Sequence, residues 1–171
     1  MTHTPSPLLQ FYQGFGQDSE ERSLKEIQQW DFNQLEYVHN YIQWLFPLTD
    51  RSHYNLDAPL LKLDDMQSFQ SSPKLRQEVL YNLELMLNFY GFIRYSDKIV
   101  AANNFDQRIQ QWLSFGNHNF LRITRILKSL KLLGLEHEAT LFFNALDSIY
   151  PQHQSIIGNS YNYWLAAVND N

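Results

Sequence analysis

LRITRILKSLKLLGLEHEA, residues 121–139, holds a whole helix, a glycine stop and the opening of a second helix. On a wheel at roughly 100° per residue, residues 118–133 sort into three strips. Phe120, Ile123, Ile126, Leu127, Leu130 and Leu133 fill one broad arc and belong to a core. Thr124, Lys128 and Lys131 fall together on the opposite side, as a solvated face would. His118, Arg122, Arg125 and Ser129 form the third strip, bordered by the apolar arc on one side and by Leu121 and Leu132 on the other. Arginines so placed are expected to be partly buried or to line a groove. A guanidinium keeps its charge, so burial demands a carboxylate, carbonyls or an anionic ligand. Either Arg122 and Arg125 meet an acid of this chain, with Asp31, Glu36, Glu84 and Asp106 in question, or they recognise an anionic group through bidentate geometry.

Working outward, Asp31 stands where an N-cap belongs, ahead of a predicted helix that runs to Phe46 and stops at Pro47. Leu35, Tyr37, Val38, Tyr41, Ile42, Trp44, Leu45 and Phe46 cover more than half of its circumference, which places that helix at the centre of the fold. Glu36, His39, Asn40 and Gln43 form its polar strip. Ser72-Pro73 opens another helix, which ends at Gly91 with Leu75, Val79, Leu83, Met86 and Tyr90 facing the core. Shorter helices are predicted over 19–29, from Asp64 through Phe69, and over 106–115. Asn117 or Asn119 caps the arginine helix, and a final pair spans 136–150, stopped by Pro151, and 160–168. Residues 92–100 read as either a short hairpin or a loop. The expected fold is an all-α, single-domain helical bundle of seven or eight helices over 8–171, with 1–7 as a flexible tail and 8–12 anchoring it.

The 171 residues are 44% hydrophobic and 18% charged, the composition of a globule with a real core. Aromatic residues make up 15%, so buried tyrosine and tryptophan groups must find partners. The absence of cysteine excludes disulfides and thiolate chemistry. A net charge of -5 argues against general nucleic-acid binding. Residues 1–7 lack a secretory-signal pattern, and no apolar run approaches membrane-spanning length, so a cytoplasmic protein is expected.

Glu36 and His39, three apart, share one face of the predicted helix, an arrangement that suits a base and the group that orients it. There is no phosphate loop, dinucleotide fingerprint, nucleophile elbow or two-histidine zinc motif, and neither a cofactor nor a metal is expected. Glu36, His39, Gln43, His118, Asn119, Arg122 and Arg125 are the candidate ligand-binding residues. Two roles are open to them. One is a binding module for a peptide or protein partner. The other is an enzyme in which His39 is the base, Glu36 orients it, and Arg122 and Arg125 hold an anionic substrate.

LLQFY (8–12), E-x-x-H-x-YIQWLFPL (36–48), LMLNFYG (85–91) and HNFLRITRILKSLKLLGLEHEA (118–139) resemble, in order, the conserved domain of the opioid growth factor receptor family. The resemblance covers residues 8 to about 167. It implies a receptor-like binding module, with the pentapeptide Met-enkephalin as the ligand of the animal member and association with the nuclear envelope or membrane periphery. Animal members carry further segments beyond this domain. The family offers no catalytic residues to carry over, and the oligomeric state is left open.

Overall fold

The structure, a computed structural model, describes residues 4–170. Among them lie ten helices and one antiparallel hairpin, so the fold is mostly helical and not purely α. The helices are α1 (Pro7–Gln13), α2 (Leu24–Ile27), α3 (Phe32–Tyr37), α4 (Ile42–Leu45), α5 (Leu63–Ser71), α6 (Pro73–Tyr90), α7 (Phe105–Trp112), α8 (Asn119–Leu132), α9 (Glu136–Ile157) and α10 (Ser160–Asn169). Strands β1 (Phe92–Arg94) and β2 (Ile99–Ala101) settle the hairpin-or-loop alternative in favour of the hairpin, with Ile93 opposite Val100. The residues group into two compact units, Met1–Asn82 and Leu83–Asn171, whose boundary falls within α6.

In the first unit the order begins early. The first three residues of the expected tail lie outside the described residues. Ser6 caps α1 by accepting from the Leu9 amide, and its hydroxyl donates to Asp65 at 2.7 Å. Gly14 ends α1 with a positive φ, as its place in the sequence suggests. The predicted helix over 19–29 shrinks to the single turn of α2. Before it, the buried Asp18 carboxylate gathers the Glu20 and Arg22 amides and pairs with Arg22 at 2.7 Å.

The helix expected over 32–46 is in fact two, because Val38 is extended at φ -88°, ψ 129°. One straight helix cannot press more than half its circumference against a core while its other residues stay wet. Breaking it exposes Tyr37 (76%) and lets every residue from Tyr41 to Pro47 become buried. The Leu35 carbonyl, deprived of its helical donor, accepts the Tyr41 hydroxyl at 2.8 Å.

A buried polar chain ties four helices of this unit. Asn82, fully buried on α6, accepts from Gln28 at 2.9 Å and donates to the Tyr12 hydroxyl at 3.0 Å. Tyr12 in turn donates to the Leu45 carbonyl at 2.5 Å, and Gln28 also reaches Glu78, which is paired with Lys25. Around this chain Phe11 packs edge-on to Trp44, and Tyr12 packs edge-on to Phe69.

In the second unit, α8 packs against both α9 and α10. The end of α6 is closed by α7. Arg108 donates to the Phe89 carbonyl at 2.7 Å, and the Trp112 indole donates to the Tyr90 carbonyl at 3.0 Å. The four-residue spacing of Arg108 and Trp112 puts both donors on one face of α7. Gly91 follows at φ 91°, and a Cβ there would lie 2.9 Å from Arg108 Cβ and 3.0 Å from Phe105 Cα.

Two helix ends differ from expectation. α7 stops at Trp112 and not at Phe115, which is exposed. α9 runs on through Pro151 to Ile157, with non-helical dihedrals at His153. Proline removes one backbone donor and crowds the preceding turn, and two residues after Pro151 the chain kinks at His153 (φ -129°, ψ 19°) before a further short stretch of helix ending at Ile157.

Gly91→Ala should lower unfolding free energy by about 2–4 kcal/mol, combining left-handed strain with overpacking, as read by urea denaturation. Asn82→Ala should lower it by roughly 2 kcal/mol, because it strips partners from buried Gln28 and Tyr12. A loss below about 0.5 kcal/mol would contradict the role given to that amide.

Candidate functional site

The arginine helix is where the sequence places it, and its third strip is buried in part. Asn119 and Ser129 are fully buried and Arg122 is 5% exposed, whereas Arg125 and His118 are only partly covered. Asn119 is the hub. Its Oδ1 accepts from the Tyr90 hydroxyl at 3.3 Å and from Arg122 Nη1 at 3.4 Å. Its Nδ2 donates to Asn117 Oδ1 at 3.0 Å, and its backbone amide donates to the same oxygen at 2.9 Å. Asn117 thus holds the first residue of α8 from just outside the helix, while the N-cap position falls on His118, which makes no side-chain cap, and not on either asparagine expected there. The His118 ring lies 3.5 Å from the Asn119 amide nitrogen. Tyr90 itself is wedged edge-on to Trp112 at 5.2 Å, which fixes where its hydroxyl points.

The two arginines differ in exposure. Arg122 is built into a hydrogen-bonded network of its own unit. Arg125, almost one turn onward and less covered, sits where burial pushes its guanidinium down to about 10. It remains a cation at neutral pH, and that cation is held in a setting that disfavours charge. Of the acids expected to neutralise the strip, Glu84 is engaged by Arg94 at 2.6 Å and Asp31 caps α3, where it accepts from the Gln34 amide.

The lysine strip needs correcting in part. Lys128 is exposed, but Lys131 is partly covered and donates to the carbonyls of Val168 at 3.0 Å and Asp170 at 2.6 Å, closing the end of α10.

The remaining candidates belong to the first unit. Because α3 ends at Tyr37, Glu36 and His39 do not share a helix face, and the base-and-orienter arrangement loses its structural premise. His39 is exposed and Glu36 is half-buried. Gln43 is buried. It donates to the His39 carbonyl at 3.4 Å and accepts from Asn55 at 3.3 Å, while Asn55 also reaches the Asn40 carbonyl. Arg22 holds Asn40 Oδ1 at 2.9 Å. Gln43 therefore braces the break between α3 and α4. Tyr90 and Asn82 were not among the sequence candidates. Asn82 could have been noticed as an amide on the core face of α6, one residue before Leu83.

A second feature of the first unit escaped the sequence reading. A cleft of about 340 Å³ is lined by Ser6, Pro7, Leu8, Trp44, Asp57, Pro59, Leu60 and Lys62. Trp44 is 5% exposed, and its indole N–H is buried without an acceptor. Among the described residues no helix is long and apolar enough to cross a membrane.

With this geometry established, the chain was compared with known proteins. No solved structure gives a significant match. The opioid growth factor receptor of Rattus norvegicus is 41% identical over 150 residues, which cover 83% of this chain and 26% of that protein. The Homo sapiens receptor is 44% identical over 117 residues, covering 65% of this chain and 17% of its own length. The opioid growth factor receptor-like protein 1 of Mus musculus is 40% identical over 109 residues, 62% of this chain and 23% of that protein. The chain thus spans about a quarter or less of the length of these relatives. The profile of the opioid growth factor receptor (OGFr) conserved region matches residues 6–171, and the chain belongs to that family.

Proposed function

We propose that this chain is a binding module that recognises a peptide or protein partner, with Arg125 as the anchor for an acidic group of that partner. The observation that carries the proposal is the difference in exposure between neighbouring arginines. Arg122 is buried and bonded to Asn119, which also takes the Tyr90 hydroxyl, so it belongs to the packing of α8. Arg125 is partly exposed, within reach of a group from outside, and its planar guanidinium suits a carboxylate. The names of the relatives, which describe receptors, agree with a recognition role. A cytoplasmic setting, with any membrane or nuclear-envelope association peripheral, belongs to the same proposal.

The two arginines should respond differently to mutation. Arg122→Ala should cost about 3 kcal/mol or more, on the scale of dismantling a buried charged network, measured by urea denaturation. Arg125→Gln, at a partly exposed position, should cost clearly less than Arg122→Ala. An equal loss in both variants would make the whole strip structural.

The binding test is a thermal-shift titration with Met-enkephalin, the pentapeptide implied by the family resemblance, beside short acidic peptides and their C-terminal amides. A ligand that binds only the folded state adds about 2.7 kcal/mol at a hundred times its dissociation constant. Carboxylate peptides should raise the melting temperature, their amides should do so less, and Arg125→Gln should weaken the carboxylate effect roughly tenfold or more, the worth of one charged hydrogen bond. Shifts that ignore both the carboxylate and Arg125 would overturn the anchor.

A further inference from the structure

The Trp44 cleft lies wholly in the first unit, away in sequence from the α8 strip, and three observations on it converge. The first is the indole. Trp44 is nine-tenths buried and lines the cleft, yet its N–H is the one buried side-chain polar atom without a partner among the described residues. Hydrogen-bonding groups buried in proteins are nearly always paired, and an exception calls for an absent partner.

The second is the rim. Leu60 pairs with Leu48 in an isolated parallel bridge, in which the Leu61 amide donates to the Leu48 carbonyl at 2.9 Å. Successive peptide groups of an extended strand point to opposite sides. The N–H and C=O of Leu60 therefore face away from Leu48, and neither takes part in any described hydrogen bond. This is a short strand edge with an open side. Its side chain is 39% exposed.

The third is chemical character. Pro7, Leu8, Pro59 and Leu60 make the cleft apolar, while exposed Asp57 and Lys62 add one charge of each sign. Tyr54, Leu56 and Leu63, all exposed, continue the apolar character along the same stretch of chain. Large apolar side chains left in water over so short a segment mark a contact surface.

We infer that this cleft docks an extended peptide segment of a partner protein, which pairs its backbone with the open edge of Leu60 and offers a carbonyl to the Trp44 indole. A peptide is the one occupant that supplies a strand edge, a carbonyl and an apolar side chain together. Asp57 and Lys62 then favour a segment carrying a basic and an acidic residue beside the apolar one. The inference extends the proposed binding role with a second, Arg125-independent contact.

The test uses heptapeptides selected from a random display library against the full wild-type chain and synthesised with blocked ends. Selected peptides should bind Leu60→Asp at least tenfold more weakly than wild type, because a carboxylate then faces the apolar segment. Trp44→Phe, which exchanges the indole for a smaller ring with no N–H, should also weaken binding. In ¹⁵N spectra of the wild type, the Trp44 indole N–H resonance should move downfield when peptide is added. If Trp44→Phe folds poorly, the Leu60→Asp variant, altered only at an exposed side chain, and the wild-type indole resonance decide. Failure to select any peptide, or selected peptides that bind Leu60→Asp as tightly as wild type and leave the indole unmoved, would overturn the inference. Peptides sensitive to Arg125→Gln but indifferent to Leu60→Asp would do the same while sparing the α8 anchor. The reverse pattern would keep the cleft and remove the anchor.

Discussion

Each helix end leaves backbone carbonyls without intrahelical donors, and a chain cut into ten helices, several of one or two turns, has many ends to satisfy. This protein meets that constraint with side chains that carry an N–H or O–H on a large body. Tyr41 closes α3 at Leu35, Tyr12 closes α4 at Leu45, and Arg108 and Trp112 close α6 at Phe89 and Tyr90. Lys131 does the same for α10. The aromatic richness of the sequence therefore has two uses. The rings fill the core, and their polar tips replace the hydrogen bonds that a longer, more regular helix would make for itself. Remove that chemistry and the short helices, marginal by themselves, have little reason to stay wound.

The same constraint makes Trp44 conspicuous. Trp112 and Trp164 each donate to a backbone carbonyl, as buried indoles should. Trp44, packed against Phe11 and equally buried, does not. Leaving such a donor unmet costs about 1–3 kcal/mol, a sizeable share of a domain's net stability. A phenylalanine would fill much of that volume without the penalty. An indole that is kept despite the cost belongs with the open strand edge of Leu60 beside it, and both are explained by one extended partner.

The elements that could be read from the sequence are those in which periodicity and punctuation agree. Ser72-Pro73 and Gly91 bracket α6, and the apolar positions between them keep one helical phase. The arginine helix is legible for the same reason, and its third strip is buried at Arg122 and Ser129 and partly covered at His118 and Arg125. The split at Val38 was not legible. YIQWLFP is apolar at nearly every position, so it carries no phase that distinguishes one long helix from a break followed by a single buried turn. Two contacts make the break favourable, the Leu35 carbonyl of α3 that accepts from Tyr41 and the Phe11 ring of α1 that meets Trp44. The continuation of α9 past Pro151 was hidden too, since a proline reads as a stop unless a buried residue such as Ile157 beyond it is known.

The candidate site divides along the same line between local pattern and distant partner. That Arg122 and Arg125 would be covered follows from their own helix. How deeply each is covered does not, because Arg122 meets Asn119, which also takes the hydroxyl of Tyr90 from α6, whose position the sequence does not reveal. Glu36 and His39 lose their shared helix face for a local reason, since α3 ends at Tyr37 and the i, i+3 relation holds only along an unbroken helix. What remains are two cations three positions apart on one helix, one buried and bonded to Asn119, the other partly exposed where burial works against its charge. Exposure alone separates them, and exposure is what the proposed anchor needs, because a guanidinium can meet a carboxylate from outside only where its own helix leaves it within reach.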